Sequence, residues 1–286
     1  MNIGIIGLGL IGGSLGRSII RFTDNTVYGR DIDKELIIKA KLLKSINKEL
    51  TEDDYKKLDM VFVATTPIIA TGILDEICPK LKDGAIVMDC CGTKKVVINK
   101  MTELKDKYKN LYFLGGHPMA GREFSTISHS VSNLFDKAYF IVVPVKADIK
   151  ILAKVKEFVI SIGCLNMVIT SREKHDQIIS YTSELAHIVS SCYIKNPLYK
   201  EHVGYSAGSF RDMTRVAKLN PKMWTELMLE NKENLIDQID NIVSHLVEYR
   251  DALNNDDDKE LYKLLDEGNI LKEEADRLHR QGVIDD

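Results

Sequence analysis

The stretch Asn2-Ile3-Gly4-Ile5-Ile6-Gly7-Leu8-Gly9-Leu10-Ile11-Gly12-Gly13-Ser14 decides the fold. It starts as a short apolar run with the length of a buried strand and then breaks into Gly7-x-Gly9-x-x-Gly12. Behind it Ile11, Leu15, Ile19 and Phe22 recur at helical spacing. Strand, glycine turn and helix in that order form the context in which this glycine pattern holds a dinucleotide. Gly7 makes the tight turn, Gly9 lets the backbone approach a pyrophosphate, and Gly12 lets the helix pack closely. The N–H groups at the helix start, around Leu10 and Ile11, then face the phosphate charge. The opening run has no basic segment and is interrupted by glycines, so it is not expected to be a secretory leader.

Val27-Tyr28-Gly29-Arg30-Asp31 reads as the next strand, ending in an acid nineteen residues beyond Gly12. A carboxylate there suits a ribose 2′-hydroxyl and repels a 2′-phosphate, so Asp31 favours NAD over NADP, with the neighbouring Arg30 as the opposing feature. Further along, Asp33 is a candidate cap for a helix to about Lys44. Strands follow at 59–64, 85–89, 111–114, 139–143 and 165–169, separated mostly by helical stretches at 68–81, 94–107 and 149–162. Alternation of this kind predicts an α/β fold, a Rossmann-type doubly wound parallel sheet with helices on both faces. The glycine turn, Asp31, Thr65-Thr66-Pro67, Asp89-Cys90-Cys91-Gly92-Thr93-Lys94 and His117 each follow a strand. They are therefore expected on the one rim where such sheets bind ligands.

The pattern changes at Thr170. Thr170-Ser171-Arg172-Glu173 fits a capping box, and from there on the chain reads as helices. The expected domains are a dinucleotide-binding domain at 1–170 and an all-α substrate-binding and dimerisation domain at 171–286. On the first of these helices Ser180, Ser183, Glu184, His187 and Ser191 share a face amid apolar neighbours, either a solvated stripe or a pocket wall. Asn220-Pro221 caps a predicted long helix from Lys222 to about Leu253, whose seam Leu235, Ile239, Ile242, Leu246 can serve a core or a subunit interface. A homodimer is the expected assembly. Asn254–Asp258 ends that helix, and a final amphipathic helix runs from Lys259 to His279.

Composition narrows the class. With 44% hydrophobic and 28% charged residues and a net charge of −3, the 286-residue chain is ordinary for a globular protein. No basic surplus points to a nucleic-acid partner, and no apolar run is long enough for a membrane span. Five cysteines without a CxxC pair suggest a reduced, cytoplasmic protein, and no metal-ligand spacing occurs. His117, a neutral base near pH 7 set between Gly116 and Pro118, is the candidate to take a hydroxyl proton, although a loop histidine is often structural. Arg211 and Arg215, four apart, suit a dianionic substrate or a solvated face.

Three segments carry a family resemblance. Gly115-Gly116-His117-Pro118-Met119-Ala120-Gly121 with Glu123 resembles the signature of the prephenate dehydrogenases of tyrosine biosynthesis. Ser209–Ala217 with Pro221-Lys222-Met223-Trp224 resembles the same family's substrate-domain motif, and Thr182–His187 its Ser-His-Leu-Pro-His motif. The resemblance spans both expected domains. It implies NAD-dependent oxidative decarboxylation of prephenate to 4-hydroxyphenylpyruvate, or the same chemistry on arogenate. By that resemblance His117 handles the hydroxyl proton, Arg215 binds a substrate carboxylate, and Ser183, His187 and Trp224 line the pocket with His175 and Arg211 near its mouth. Two positions depart from the family pattern. Gly92 stands where a serine often contacts substrate and nicotinamide, so Thr93 or a backbone N–H is expected to supply that contact. Glu184 replaces the first histidine of the helical motif and is expected to alter pH response or tolerance for a substrate amine. A regulatory ACT domain and a fused chorismate mutase, present in some relatives, are not expected. Rival readings are a β-hydroxyacid dehydrogenase or imino-acid reductase of the same plan, which lacks the GGHPMAG loop, and a nucleotide sensor without turnover.

Overall fold

A computed structural model describes residues 1–284; residues 285–286, the end of the expected second domain, lie outside the described residues. Among the described residues eight strands form one sheet. They are β1 (Asn2–Ile6), β2 (Thr26–Arg30), β3 (Lys48–Glu49), β4 (Met60–Val63), β5 (Ile86–Asp89), β6 (Tyr112–Pro118), β7 (Tyr139–Lys146) and β8 (Asn166–Ile169). Their spatial order is β3-β2-β1-β4-β5-β6-β7-β8. The order reverses beside β1, which is the point where such sheets take their ligands.

Side chains alternate across each central strand, and both sides are apolar. Ile3, Ile5, Met60, Phe62, Ile86 and Met88 share one core with α1 (Leu10–Phe22), α2 (Lys34–Leu42) and α5 (Ile149–Ser161). Val61, Val63, Val87 and Phe113 share the other with α3 (Pro67–Ile77) and α4 (Lys95–Lys107). A sheet covered on both faces explains why these strands read as unbroken apolar runs. Each fully buried aliphatic or aromatic side chain contributes roughly 1.5–3 kcal/mol.

The sheet departs from all-parallel at one place. β7 runs antiparallel to β6, and β8 runs parallel to β7. No helix longer than the single turn Ile127–His129 lies between β6 and β7, so the chain lacks the crossover element that returns a parallel neighbour.

Beyond β8 the α-helices among the described residues are α6 (Arg172–Ile179), α7 (Ala186–Ile194), α8 (Gly208–Thr214), α9 (Pro221–Glu230), α10 (Lys232–Asn254) and α11 (Asp258–Ile284), and no strand occurs among them. Ser171, not Thr170, caps α6, its side chain accepting from Lys174 N; with Lys174 at the third helical position the expected capping box does not form. A π-helical turn, Ser180–Leu185, separates α6 from α7. The single long helix expected from Lys222 to Leu253 is two helices. Asn220 caps the first by accepting from Lys222 N and Met223 N, and Asn231 leaves helical geometry at φ −106.

By compactness the chain divides into residues 1–232 and 233–286. Within the second unit the Tyr249 hydroxyl donates to Leu264 O, and Ala252 and Leu264 are buried. Of the apolar seam, Leu235 is buried while Leu246 is exposed, as are Ile236, Val243, Leu253, Leu265 and Leu271.

Candidate active site

The glycine turn at the end of β1 is built as its residue types require. Gly7 adopts φ +93, and a Cβ there would lie 2.5 Å from Ala64 O. A Cβ on Gly12 would lie 1.9 Å from Gly7 O, so only glycine lets α1 pack back onto the turn. Asp31 braces the same turn: its Oδ2 accepts from Leu8 N at 2.7 Å and its Oδ1 from Asp33 N. Arg30 points elsewhere, forked onto Glu76 and donating to the Tyr55 hydroxyl. At the start of α1, Leu10 N donates to the carbonyl of Ser125 from the β6–β7 connection.

A cavity of about 580 Å³ opens along this rim. Gly9, Leu10 and Ile11 line it from the turn, Thr65, Thr66 and Pro67 from the end of β4, and Cys90, Cys91 and Gly92 from the end of β5. The Thr66 hydroxyl is buried there without a hydrogen-bond partner, and α3 receives its cap instead from Glu226, whose carboxylate accepts from Ile68 N. Glycines that admit a close backbone approach, an acid at the end of β2 to accept from a ribose hydroxyl and an unpartnered Thr66 hydroxyl fit a dinucleotide.

His117 lies within β6 rather than after it, and the reason is local. Pairing of β6 with β5 ends at Leu114, while pairing with β7 continues through His117 opposite Ile141. Where β5 stops, the carboxylate of Asp89 takes over and accepts from Gly116 N at 3.1 Å. Asp89 is itself held by a fully buried Lys94, whose Nζ lies 2.6 Å from Oδ2 and also donates to Cys91 O. Removing one partner of such a pair costs about 3–5 kcal/mol, because the other charge is left buried and alone.

Behind His117 stands a chain of polar groups. His117 Nδ1 lies 2.9 Å from His175 Nε2, and His175 Nδ1 lies 2.7 Å from Asp176 Oδ1. Asp176 is fixed in turn by Lys94 N and Lys95 N, so a residue of α6 caps the start of α4. Burial holds His117 well below the ordinary histidine range, and the Lys94 cation and His175 push the same way. Burial also lowers His175, against the opposing pull of Asp176. Both imidazoles are therefore neutral at pH 7.

Ser183, Glu184, His187, Arg215 and Trp224 complete the wall together with Glu123 and Lys218. His187 Nδ1 donates to Val216 O, and its ring rests on Trp224 with centroids 3.9 Å apart. Arg215 is ion-paired with Glu123. Glu184 is almost wholly buried; Asn231 Nδ2 donates to its Oε2, while Oε1 has no partner. Burial pushes its carboxyl up to about 7, with Asp176 and Glu230 adding to the effect and the Asn231 hydrogen bond opposing it.

Four expected positions fall elsewhere. His175 is buried behind His117, not at the mouth of the cavity. Thr93 is buried and donates to Glu230 Oε2 at 2.6 Å, so it does not stand in for the serine missing at Gly92. A Cβ on Gly92 would meet Leu227 Cδ1 at 3.3 Å, which ties the glycine to that leucine. Arg211 is largely exposed, near Asp212, because α8 ends at Thr214 and Arg215 begins a separate turn, placing the two arginines on different paths. Ser180, where the π turn begins, is buried and donates to Gln177 O instead of lining the cavity, while Ser191 stays one turn beyond His187 on α7. Sequence reasoning places Lys94 only at the end of a rim segment and misses Asp176 and Asn231. Their signal, a buried charge answered from a distant helix, exists only in three dimensions.

Fold and cavity together define a Rossmann-type, nucleotide-binding oxidoreductase. The profile of the prephenate dehydrogenase nucleotide-binding domain matches residues 15–168, and that of the prephenate dehydrogenase dimerization domain matches residues 171–267. The chain belongs to the prephenate dehydrogenase family. It is 28% identical to the prephenate dehydrogenase of Lactococcus lactis subsp. cremoris, covering 96% of this chain and 77% of that protein. The prephenate dehydrogenase from A. aeolicus in complex with hydroxyphenyl propionate and NAD+ superposes with a TM-score of 0.84 at 29% identity, covering 96% of this chain and 98% of that one. The Synechocystis arogenate dehydrogenase superposes at 0.79 with 25% identity over 96% of this chain and the whole of the other.

Proposed function

We propose that the protein catalyses the NAD-dependent oxidative decarboxylation of prephenate to 4-hydroxyphenylpyruvate. The observation that carries this reading is that His117 and Arg215 line the same cavity as the glycine turn. The nicotinamide, when bound, supplies the acceptor for the hydrogen and electron pair leaving the ring carbon that bears the hydroxyl. Gly9, Leu10, Ile11, Thr65, Thr66 and Asp31 would hold that cofactor, and the engagement of Arg30 by Glu76 leaves no free guanidinium beside Asp31 for a 2′-phosphate.

His117 takes the hydroxyl proton as the carbon–oxygen bond becomes a carbonyl, a role worth about 10²–10⁴ in rate. The ring carboxylate then leaves as CO₂. Its bonding electrons complete the aromatic ring, and the carbonyl oxygen, taking back the proton held by His117, becomes the phenol. Arg215 binds a substrate carboxylate after exchanging it for Glu123. His187, Ser183 and Trp224 shape the space for the ring. Residues 171–286 supply the substrate wall and the contact between two copies of the chain, and the exposed apolar side chains of α10 and α11 support a homodimer.

A second reading has its own observation. The unpartnered Oε1 of Glu184 on the cavity wall suits a substrate with an ammonium group, as in arogenate. Purified protein mixed with NAD+ and each substrate separately decides between them by the rate of NADH absorbance. Turnover of neither removes both readings.

A further inference from the structure

Resting on the reading of His117 as the base, we infer that His175 and Asp176 are positioning residues that fix the tautomer of His117, leaving its Nε2 unprotonated toward the cavity. The deduction follows from counting protons along the chain of hydrogen bonds. Asp176 Oδ1 can only accept, so His175 Nδ1 carries the proton of the 2.7 Å contact. His175 is neutral, held there by burial, so its Nε2 bears a lone pair. The 2.9 Å contact to His117 therefore needs the proton on His117 Nδ1. His117 is neutral as well, so its other nitrogen, the one left for the cavity it lines, is a bare acceptor. A proton arriving there makes an imidazolium whose Nδ1–H is already bonded, with the Asp176 carboxylate one ring away.

Asp176 cannot turn to another partner, because Lys94 N and Lys95 N hold both of its oxygens. The charged groups around this chain are Lys94 and its partner Asp89, both fully buried, with Glu184 and Glu230 on the far side of Asp176. Without the relay His117 is free to place its proton on either nitrogen, and the Nε2–H form cannot accept the substrate proton.

The test is the tautomer itself. In full-length protein with ¹⁵N-labelled histidine, two-bond nitrogen–proton correlation spectra report which nitrogen of each of the seven imidazoles is protonated. A His117→Asn variant identifies the signal. The expected result is Nδ1–H for His117 in the unmodified protein, and appearance of the Nε2–H form in His175→Met, which conserves volume but breaks the relay. The same variant should lose about 10- to 10²-fold in kcat with an unchanged KM for NAD+, a part of what a general base supplies. His175→Gln, whose amide oxygen can accept from Nδ1, should recover part of both. An Nε2–H tautomer in the unmodified protein, or no change of tautomer in His175→Met, overturns the inference, as does a Gln variant no better than Met. The spectra need no turnover, so they stand apart from the base reading, which fails on its own if His117→Asn leaves kcat intact.

Discussion

The guanidinium of Arg215 and the carboxylate of Glu123 form an ion pair, 2.5 Å apart, on the wall of the cavity. The Arg215 side chain is more than half exposed, and the pair joins the β6–β7 connection to the turn after α8. An exposed pair of this kind is worth at most about 1 kcal/mol, which a charge-assisted bond to a substrate carboxylate exceeds.

Arg215→Ala should therefore raise KM for substrate about 10- to 100-fold with little change in kcat, while Glu123→Gln should lower KM by no more than about fivefold. Steady-state kinetics of the two variants side by side checks this. A rise in KM for Glu123→Gln would make that residue a substrate contact and not a competitor.

His117→Asn should reduce kcat by about 10²–10⁴. Its affinity for NAD+ should stay within about twofold in a calorimetric titration, because the cofactor residues named above lie elsewhere on the rim. Equal losses in turnover and cofactor affinity would point to a damaged fold.

Glu184 links pH to stability. Its folded-state carboxyl is raised to about 7 from an ordinary 4.5, so the native state holds a proton that the unfolded chain has released. The contribution is fully present below the unfolded value and is lost as pH climbs through the folded one, roughly 3 kcal/mol across that window. Glu184→Gln should flatten this fall and raise Tm at pH 8 by on the order of 5 °C. The window is read from thermal unfolding between pH 4.5 and 8, and parallel curves for the two proteins would dismiss the assignment.

Trp224 is the sole tryptophan and lies against His187 on the cavity wall. Intrinsic fluorescence should therefore change on addition of 4-hydroxyphenylpyruvate and follow one saturating curve. A signal indifferent to ligand at saturating concentration would place the ring outside the occupied space.

Asp31→Asn should weaken NAD+ about tenfold and narrow its preference over NADP+. The carboxylate braces Leu8 N and is the acid nearest the end of β2. Adding Glu76→Ala, which releases Arg30, should favour NADP+ further, and cofactor KM ratios measure both steps.

Much of this was legible in the residues alone. Apolar strands bounded by turns, the Gly7-x-Gly9-x-x-Gly12 spacing and the GGHPMAG loop act over a few neighbouring positions, where local sterics and periodicity govern, and they located the rim and its histidine. Reversal at β7 was not visible, since periodicity reports which faces are apolar but not strand direction. Nor was the break at Asn231, a residue whose side chain is used to hold Asp176 O and Glu184. By itself the sequence determined the layered fold and the nucleotide turn, and it named the histidine and the arginine that line the cavity. Only the tertiary structure decided what surrounds them: His175 as the partner of His117, Asp176 as the cap of α4, Glu123 as the counterion of Arg215. Each of those is a hydrogen bond or ion pair between segments far apart in the chain, and its existence depends on how sheet and helices pack, a property that no local pattern encodes.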